Sequence, residues 1–143
     1  MAYKPPTQTV IDNDTKNYPS NEAVFEQLKT KANQFPLAQT PITLTDAATI
    51  STDASLGNIF RVTLGGNRTL GNPSNATDGQ MLHFEIKQDG SGGRTLAFDT
   101  KFRFSSDLTQ PSLSSGANKL DRILFIYRSA DDKFDCLAVN KGF

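Results

Sequence analysis

The amino-acid sequence predicts an all-β fold, an antiparallel β-sandwich or jelly-roll-like barrel that follows a short N-terminal arm and helix. Apolar and polar residues alternate with period 2 over short segments after residue 41, as half-buried strands require. Gly, Asn, Pro and Ser separate these segments, and no helical period appears after residue 36. We therefore expect two domains, an arm and attachment helix in residues 1–36 and a β-sandwich head in residues 37–143.

The first domain combines an arm and a helix. Residues 1–19 are polar and contain three prolines without periodicity, which predicts an extended arm that is disordered or lies on a partner. Residues 20–35 predict one helix, because Ser20 can cap its first turn and Pro36 ends it. Its apolar stripe has heptad-like spacing, so the helix either packs on its own domain or self-associates around a symmetry axis. The candidate oligomer-interface residues are Val24, Phe25, Leu28, Ala32 and Phe35.

The strands of the second domain follow in order. Residues 41–51 predict one or two short Thr-rich strands, and residues 58–64 and 81–88 alternate as half-buried strands. Residues 122–128 are apolar on both faces, so we expect a central strand covered on both sides. A polar turn separates this run from residues 134–140, which predicts a C-terminal hairpin.

A glycine-rich stretch, "QDGSGGRTLAFD" from Gln88 to Asp99, raises the question of phosphate binding. The glycine spacing does not match a P-loop, no lysine is present, and a strand rather than a helix follows. An Asp-Gly pair with further glycines between two alternating segments is typical of a hairpin turn. We therefore predict a β-hairpin here, with Arg94 flanking the turn and binding no phosphate.

Composition argues against several function classes. The chain has 143 residues, with 15 basic and 15 acidic side chains that are dispersed, so no basic footprint for nucleic acid is expected. No signal peptide or apolar span is visible, so we expect synthesis in a cytoplasm and no membrane insertion.

Candidate catalytic and metal-binding residues are few. His83 is the single histidine and is expected on the outward face of its strand, and no nucleophile motif accompanies it. Cys136 is the single cysteine; it alternates with Phe134 and Ala138, which predicts a buried structural thiol. Acidic pairs at 12–14 and 131–132 lie outside any EF-hand frame. The sequence thus predicts no enzyme, no metal site and no cofactor.

Two segments resemble a known class of proteins. Residues 18–33, "YPSNEAVFEQLKTKAN", are similar to a "PS-x-x-AV" start that leads into a short helix in tailed-bacteriophage fibre proteins. Residues 79–140 resemble a β-module of phage tail fibres, head fibres and other virion appendages. The residues that carry this likeness are the "QD-x-x-GGRT-L-x-F" run, the "F-x-F" after it and the final hairpin.

The resemblance implies a non-enzymatic virion structural protein. Such modules commonly assemble as trimers, so a homotrimer with a three-fold helix bundle is implied, and the arm would attach it to other virion proteins such as the major capsid or a tail protein. The module is almost the whole chain, which favours a capsid-decorating or head-fibre protein. The alternative is a short tail-fibre or tail-tip adhesin or adaptor that contacts a host surface glycan or protein.

Overall fold

The computed structural model describes residue 23 and residues 39–143. The chain divides into two units, Met1–Leu37 and Ala38–Phe143. Ala23 is helical; the rest of the predicted helix, its five candidate interface residues and the arm lie outside the described residues, and their predictions stay predictions.

Nine strands and one short 3-10 helix, Ala54–Leu56, lie within residues 39–143. The strands are β1 (Ile42–Thr43), β2 (Thr49–Ile50), β3 (Ile59–Leu64), β4 (Arg68–Leu70), β5 (Met81–Gln88), β6 (Leu96–Phe98), β7 (Phe102–Arg103), β8 (Leu120–Arg128) and β9 (Lys133–Asn140).

The chain winds between two sheets. A six-stranded sheet has the order β1-β3-β5-β8-β9-β7, and a three-stranded sheet has the order β2-β4-β6. From β1 to β6 successive strands alternate between the sheets, and within each sheet these strands are parallel. Three turns of a coil therefore precede the antiparallel strands β8 and β9, which extend the larger sheet.

The predicted all-β class is confirmed, but the predicted antiparallel pairing is wrong for most of the molecule. Within the described residues only β5 with β8 and β8 with β9 pair antiparallel, while the other five ladders are parallel. The physical reason lies in the connections after β1, β3 and β5. Each carries the chain across to the other sheet, so each strand pairs with the strand one full turn away.

One hydrophobic core lies between the inner faces of the two sheets. In the smaller sheet Ile50, Leu70 and Phe98 stand side by side in register. The Phe98 ring reaches the larger sheet, where its centroid lies 6.0 Å from that of Phe125. Phe84, which is fully buried, packs edge-on against the same Phe125 ring. Burial of each such side chain contributes about 1.5–3 kcal/mol, so this aromatic cluster joins the two sheets.

The predicted C-terminal hairpin is confirmed as β8 and β9, and β8 is a central strand between β5 and β9. Its inner side chains, including Ile123 and Phe125, are fully buried. Its outer side chains Leu124 and Ile126 are only half-buried. We expected both faces of this strand to be packed against other residues. Within the described residues only its inner face is packed in this way.

A β-bulge in β9 corrects one detail of the predicted hairpin. Leu124 pairs with Ala138 and Phe125 pairs with Cys136, so Leu137 is an extra residue. Cys136 keeps the inward direction of Phe134, but Ala138 moves to the opposite face. The sequence pattern had placed all three on one face because period-2 alternation does not reveal an inserted residue.

Candidate functional site

The glycine-rich stretch forms a corner between the two sheets, so the predicted hairpin is wrong. Gln88 ends β5, whose backbone pairs with β3 and β8, while β6 pairs with β4. The buried Gln88 side chain supplies the hydrogen bonds across the corner. Its Oε1 accepts from the Arg94 N–H at 2.8 Å, and its Nε2 donates to the Arg94 carbonyl at 2.8 Å.

In the same corner, the Asp89 side chain occupies the position where an anion would bind. The Asp89 carboxylate accepts from the N–H groups of Ser91 and Gly92 at 3.0 and 2.9 Å. The Arg94 guanidinium donates to its other oxygen at 2.8 Å, and this bond is the main reason that the pKa of Asp89 lies below its ordinary value. A phosphate would need these amides and this arginine, which the Asp89 carboxylate already occupies.

Two glycines of the corner are required by its backbone. Gly92 and Gly93 have φ of +70° and +73°, a region that residues with a Cβ avoid. A Cβ on Gly92 would lie 2.5 Å from the Ser115 carbonyl oxygen, and the Gly93 N–H donates to that oxygen at 2.8 Å. The corner is thus fastened to the long connection between β7 and β8.

The outer face of the six-stranded sheet is the second candidate site. We use this name for the side chains that point away from the core, and strand register sets them in rows. The outer face comprises Thr43, Ile59, Arg61, Thr63, Met81, His83, Glu85, Lys87, Arg103, Leu120, Arg122, Leu124, Ile126, Arg128, Lys133, Asp135, Ala138 and Asn140.

One end of the outer face is charged. Glu85 lies between two arginines, with Arg61 Nη2 donating to its Oε2 at 3.1 Å and Arg122 Nε 3.6 Å from its Oε1. Lys87 is exposed on the next row, beside Thr63. Three cations against one carboxylate give this end a net positive charge, although the whole chain is neutral.

The other end of the outer face contains exposed apolar side chains, bordered by the ion pair of Arg103 with Asp135, which is the register partner of Ile126. Met81 pairs with Ile126, and Leu124 pairs with Ala138, so their side chains are neighbours. Met81 is 51% exposed, and Leu137 at the bulge is 47% exposed. We call Met81, Leu124, Ile126 and Ala138, together with the exposed bulge residue Leu137 next to Ala138 in the chain, the apolar end, and the residues around Glu85 the charged end.

His83 lies on the outer face, as predicted, between these two ends and opposite Leu124. Burial is the main cause of its lowered pKa, with Glu85 acting in the opposite direction. Cys136 is a buried free thiol, as predicted, and burial raises its pKa. Cys136 points into the core from β9, so the sheet itself separates the two side chains. The fold therefore does not bring them together as a nucleophile and base.

Acidic residues near the β8–β9 turn are engaged by basic side chains. Asp132 accepts from Lys101 and from the Tyr127 hydroxyl at 2.8 and 3.0 Å. Arg103 bridges Asp131 and Asp135. Within residues 39–143 no group of three or more His, Cys, Asp or Glu residues is arranged to hold a metal ion. The acidic stretch 12–14 lies outside the described residues.

No protein-family model, curated protein or solved structure matches this chain. In the described part of the chain, no helix has the length and apolar character needed to cross a bilayer.

The sequence located the glycine-rich stretch but missed the outer face as a site. Its one signal was the second apolar face of residues 122–128, which we interpreted as covered. Arg61, Lys87 and Arg122 are far apart along the chain. Only the register between β3, β5 and β8 places them on one surface.

Proposed function

We propose that this chain is a non-enzymatic structural protein of a bacteriophage virion. In this proposal it is a homotrimeric capsid-decorating or head-fibre protein that projects a small sandwich-type β-domain. It is made in the host cytoplasm and carried in the virion, attached to other virion proteins by its N-terminal arm. The observation that carries the proposal is the resemblance of residues 18–33 and 79–140 to phage appendage proteins, and the apolar end of the outer face supports the self-association part of it.

An exposed apolar cluster on a small domain supports a role in association. Monomeric soluble proteins expose contiguous apolar patches of up to a few hundred Å², so a cluster of this size is compatible with association but does not by itself require it. Met81 and Leu137 are each about half exposed, and Leu124 and Ile126 add to the cluster from the neighbouring strand. The proposed partner is a second copy of this chain.

The size of the apolar end implies that a second contact is needed. From strand spacing and rise it covers on the order of 200 Å² per copy. A stable interface buries roughly 1,200–2,000 Å² in total, so this end cannot hold copies together alone. The predicted helix 20–35, with its apolar stripe, is the proposed main contact. Joining the copies there raises the effective concentration of the heads.

A non-enzymatic role is supported by the state of the reactive side chains. Cys136 is buried, His83 is on the opposite face of the sheet, and the acidic residues near Asp132 are bound by cations. General acid–base or nucleophilic catalysis needs such groups within hydrogen-bond reach of each other and of a substrate.

A short tail-fibre or tail-tip adhesin is the second candidate function. The observation that favours it is the charged end of the outer face, where hydroxyl and ammonium groups that make no side-chain hydrogen bond or ion pair within residues 39–143 border a cleft. Such a surface suits contact with a host glycan.

The oligomer proposal is tested by static light scattering on the full chain. We expect the variant Phe25→Ser with Leu28→Ser to have the mass of one chain, and the wild type to have the mass of three. A matched control, Glu26→Ser with Gln27→Ser, changes neighbouring polar positions and should leave the trimer intact. A double-serine variant that remains trimeric with an unchanged circular dichroism spectrum would contradict the proposed helix contact.

A further inference from the structure

The charged end of the outer face contains a cleft of about 220 Å³. Its walls are two rows of side chains set by strand register. Thr43, Arg61 and Glu85 form one row, and Thr63 and Lys87 form the next. Leu120, opposite Lys87, adds an apolar side chain to the wall.

The polar groups of the cleft are not all used within the domain. Arg61 is tied to Glu85, whose carboxylate is only 16% exposed. Lys87, Thr43 and Thr63 make no side-chain hydrogen bond or ion pair with any of the residues 39–143. An ammonium group and two hydroxyl groups thus line the cleft without protein partners.

Charge selects the kind of ligand. Arg61, Lys87 and Arg122 outnumber Glu85 at this end, so a negatively charged group gains favourable interactions there. The same excess of positive charge disfavours packing of this end against itself in a second copy.

The mixture of polar and apolar groups in the cleft narrows the class of ligand further. Threonine hydroxyls both donate and accept, and the Glu85 carboxylate accepts, so neighbouring hydroxyl groups of a ligand have partners. Leu120 offers apolar surface to the C–H groups of a ring. The volume is below the usual 300–1,000 Å³ or so of sites for drug-sized ligands, so it suits a single ring.

We propose that this cleft binds an anionic saccharide unit, with Lys87 contacting the acidic group and Thr43, Thr63 and Glu85 contacting the hydroxyl groups. The proposal rests on the adhesin alternative above and deepens it, because it names the class of ligand for the same charged end. It does not require the trimer.

The test uses galacturonic acid as the probe and galactose as its neutral match, with saturation-transfer-difference NMR on the full chain. We expect galacturonic acid to bind with a Kd on the order of 1 mM and galactose to bind at least about tenfold more weakly, as loss of one charge-assisted contact implies. Lys87→Gln should weaken galacturonic acid about tenfold, and Thr63→Val should weaken it by a smaller factor.

Lys133→Gln is the matched control. It removes the same charge at the β8–β9 turn, away from the cleft, where the Lys133 ammonium donates to the Thr100 carbonyl. It should bind the probe as the wild type does. Equal weakening in Lys87→Gln and Lys133→Gln would overturn the assignment of the cleft, and so would absence of binding in the wild type.

Two further ligands test whether the cleft recognises a saccharide or only a negative charge. Sulfate at equal concentration should not displace the probe, because it offers no hydroxyl groups to the threonines. A thymidine trinucleotide should bind more weakly than galacturonic acid. Displacement by sulfate, or tighter binding of the trinucleotide, would show that the cleft recognises charge alone. Either result would overturn the saccharide proposal without touching the light-scattering test of the trimer.

Discussion

Replacement of Gln88 by leucine tests the role of the corner between the two sheets. The Gln88 side chain is 2% exposed and makes two hydrogen bonds, both 2.8 Å, with the backbone of Arg94. Leucine has similar volume, so little cavity forms, but the Arg94 N–H and carbonyl lose their partners. Each buried polar group left unpaired costs about 1–3 kcal/mol, so the expected loss for the two groups is about 2–6 kcal/mol.

That loss is large for a domain of this size, whose total stability is of the order of 5–15 kcal/mol. Urea unfolding at fixed protein concentration, followed by circular dichroism, is the assay. With a slope of about 1–3 kcal/mol per M, the midpoint for Gln88→Leu should fall by about 1–2 M. Gln110→Leu is the matched control, because Gln110 is exposed and its replacement should change stability by less than about 0.5 kcal/mol.

Gln88→Glu separates hydrogen bonding from packing. An ionised glutamate can still accept from the Arg94 N–H but faces the Arg94 carbonyl with negative charge, which raises its pKa in the folded state. Its protonated form can donate to that carbonyl. The stability deficit of Gln88→Glu relative to wild type should therefore shrink as pH falls. A Gln88→Leu variant as stable as Gln110→Leu would refute the reasoning about the corner.

Three further outcomes are expected. Gly92→Ala should lower the melting temperature by about 10 °C or more, because of its positive φ and the close Ser115 oxygen, whereas Gly90→Ala, with nothing within 4 Å, should not. The pKa of Asp89 is lowered in the folded state. Its stabilising effect is therefore present above the ordinary aspartate pKa of about 4, and it is lost as the pH falls through the lower folded value. In urea titrations, Asp89→Asn should lose less stability than wild type between pH 5 and pH 2. Met81→Lys should shift trimer dissociation to about tenfold higher concentration on dilution in light scattering, and an unchanged dissociation curve would argue against the apolar end as a contact.

The strands were largely predictable from the sequence. Residues 58–64 and 81–88 alternate clearly, because each buries one face and leaves the other more exposed. The C-terminal hairpin was predictable from the polar turn between two apolar segments. The pairing of the earlier strands was not predictable. An Asp-Gly turn followed by glycines has the same local chemistry in a hairpin as in a corner between sheets. The difference depends on β5 pairing with β3, two strands earlier, and on Gln88 taking the place of a strand partner.

The candidate sites were less predictable than the strands. His83 and Cys136 could be placed correctly by alternation alone, as an outer-face residue and a buried thiol. The cleft depends on Thr43, Arg61 and Lys87, which come from three strands and share a surface only through parallel register. An antiparallel sandwich would have grouped different side chains.

The central claim is that this chain is a structural component of a virion. Purified particles of the phage proposed to encode it, labelled on this protein and imaged by electron microscopy, test that claim most directly. The account predicts label in multiple copies on the particle, regularly spaced on the head for a capsid-decorating or head-fibre protein, or at the tail tip for the adhesin alternative. Particles that carry no copy of the chain would contradict it.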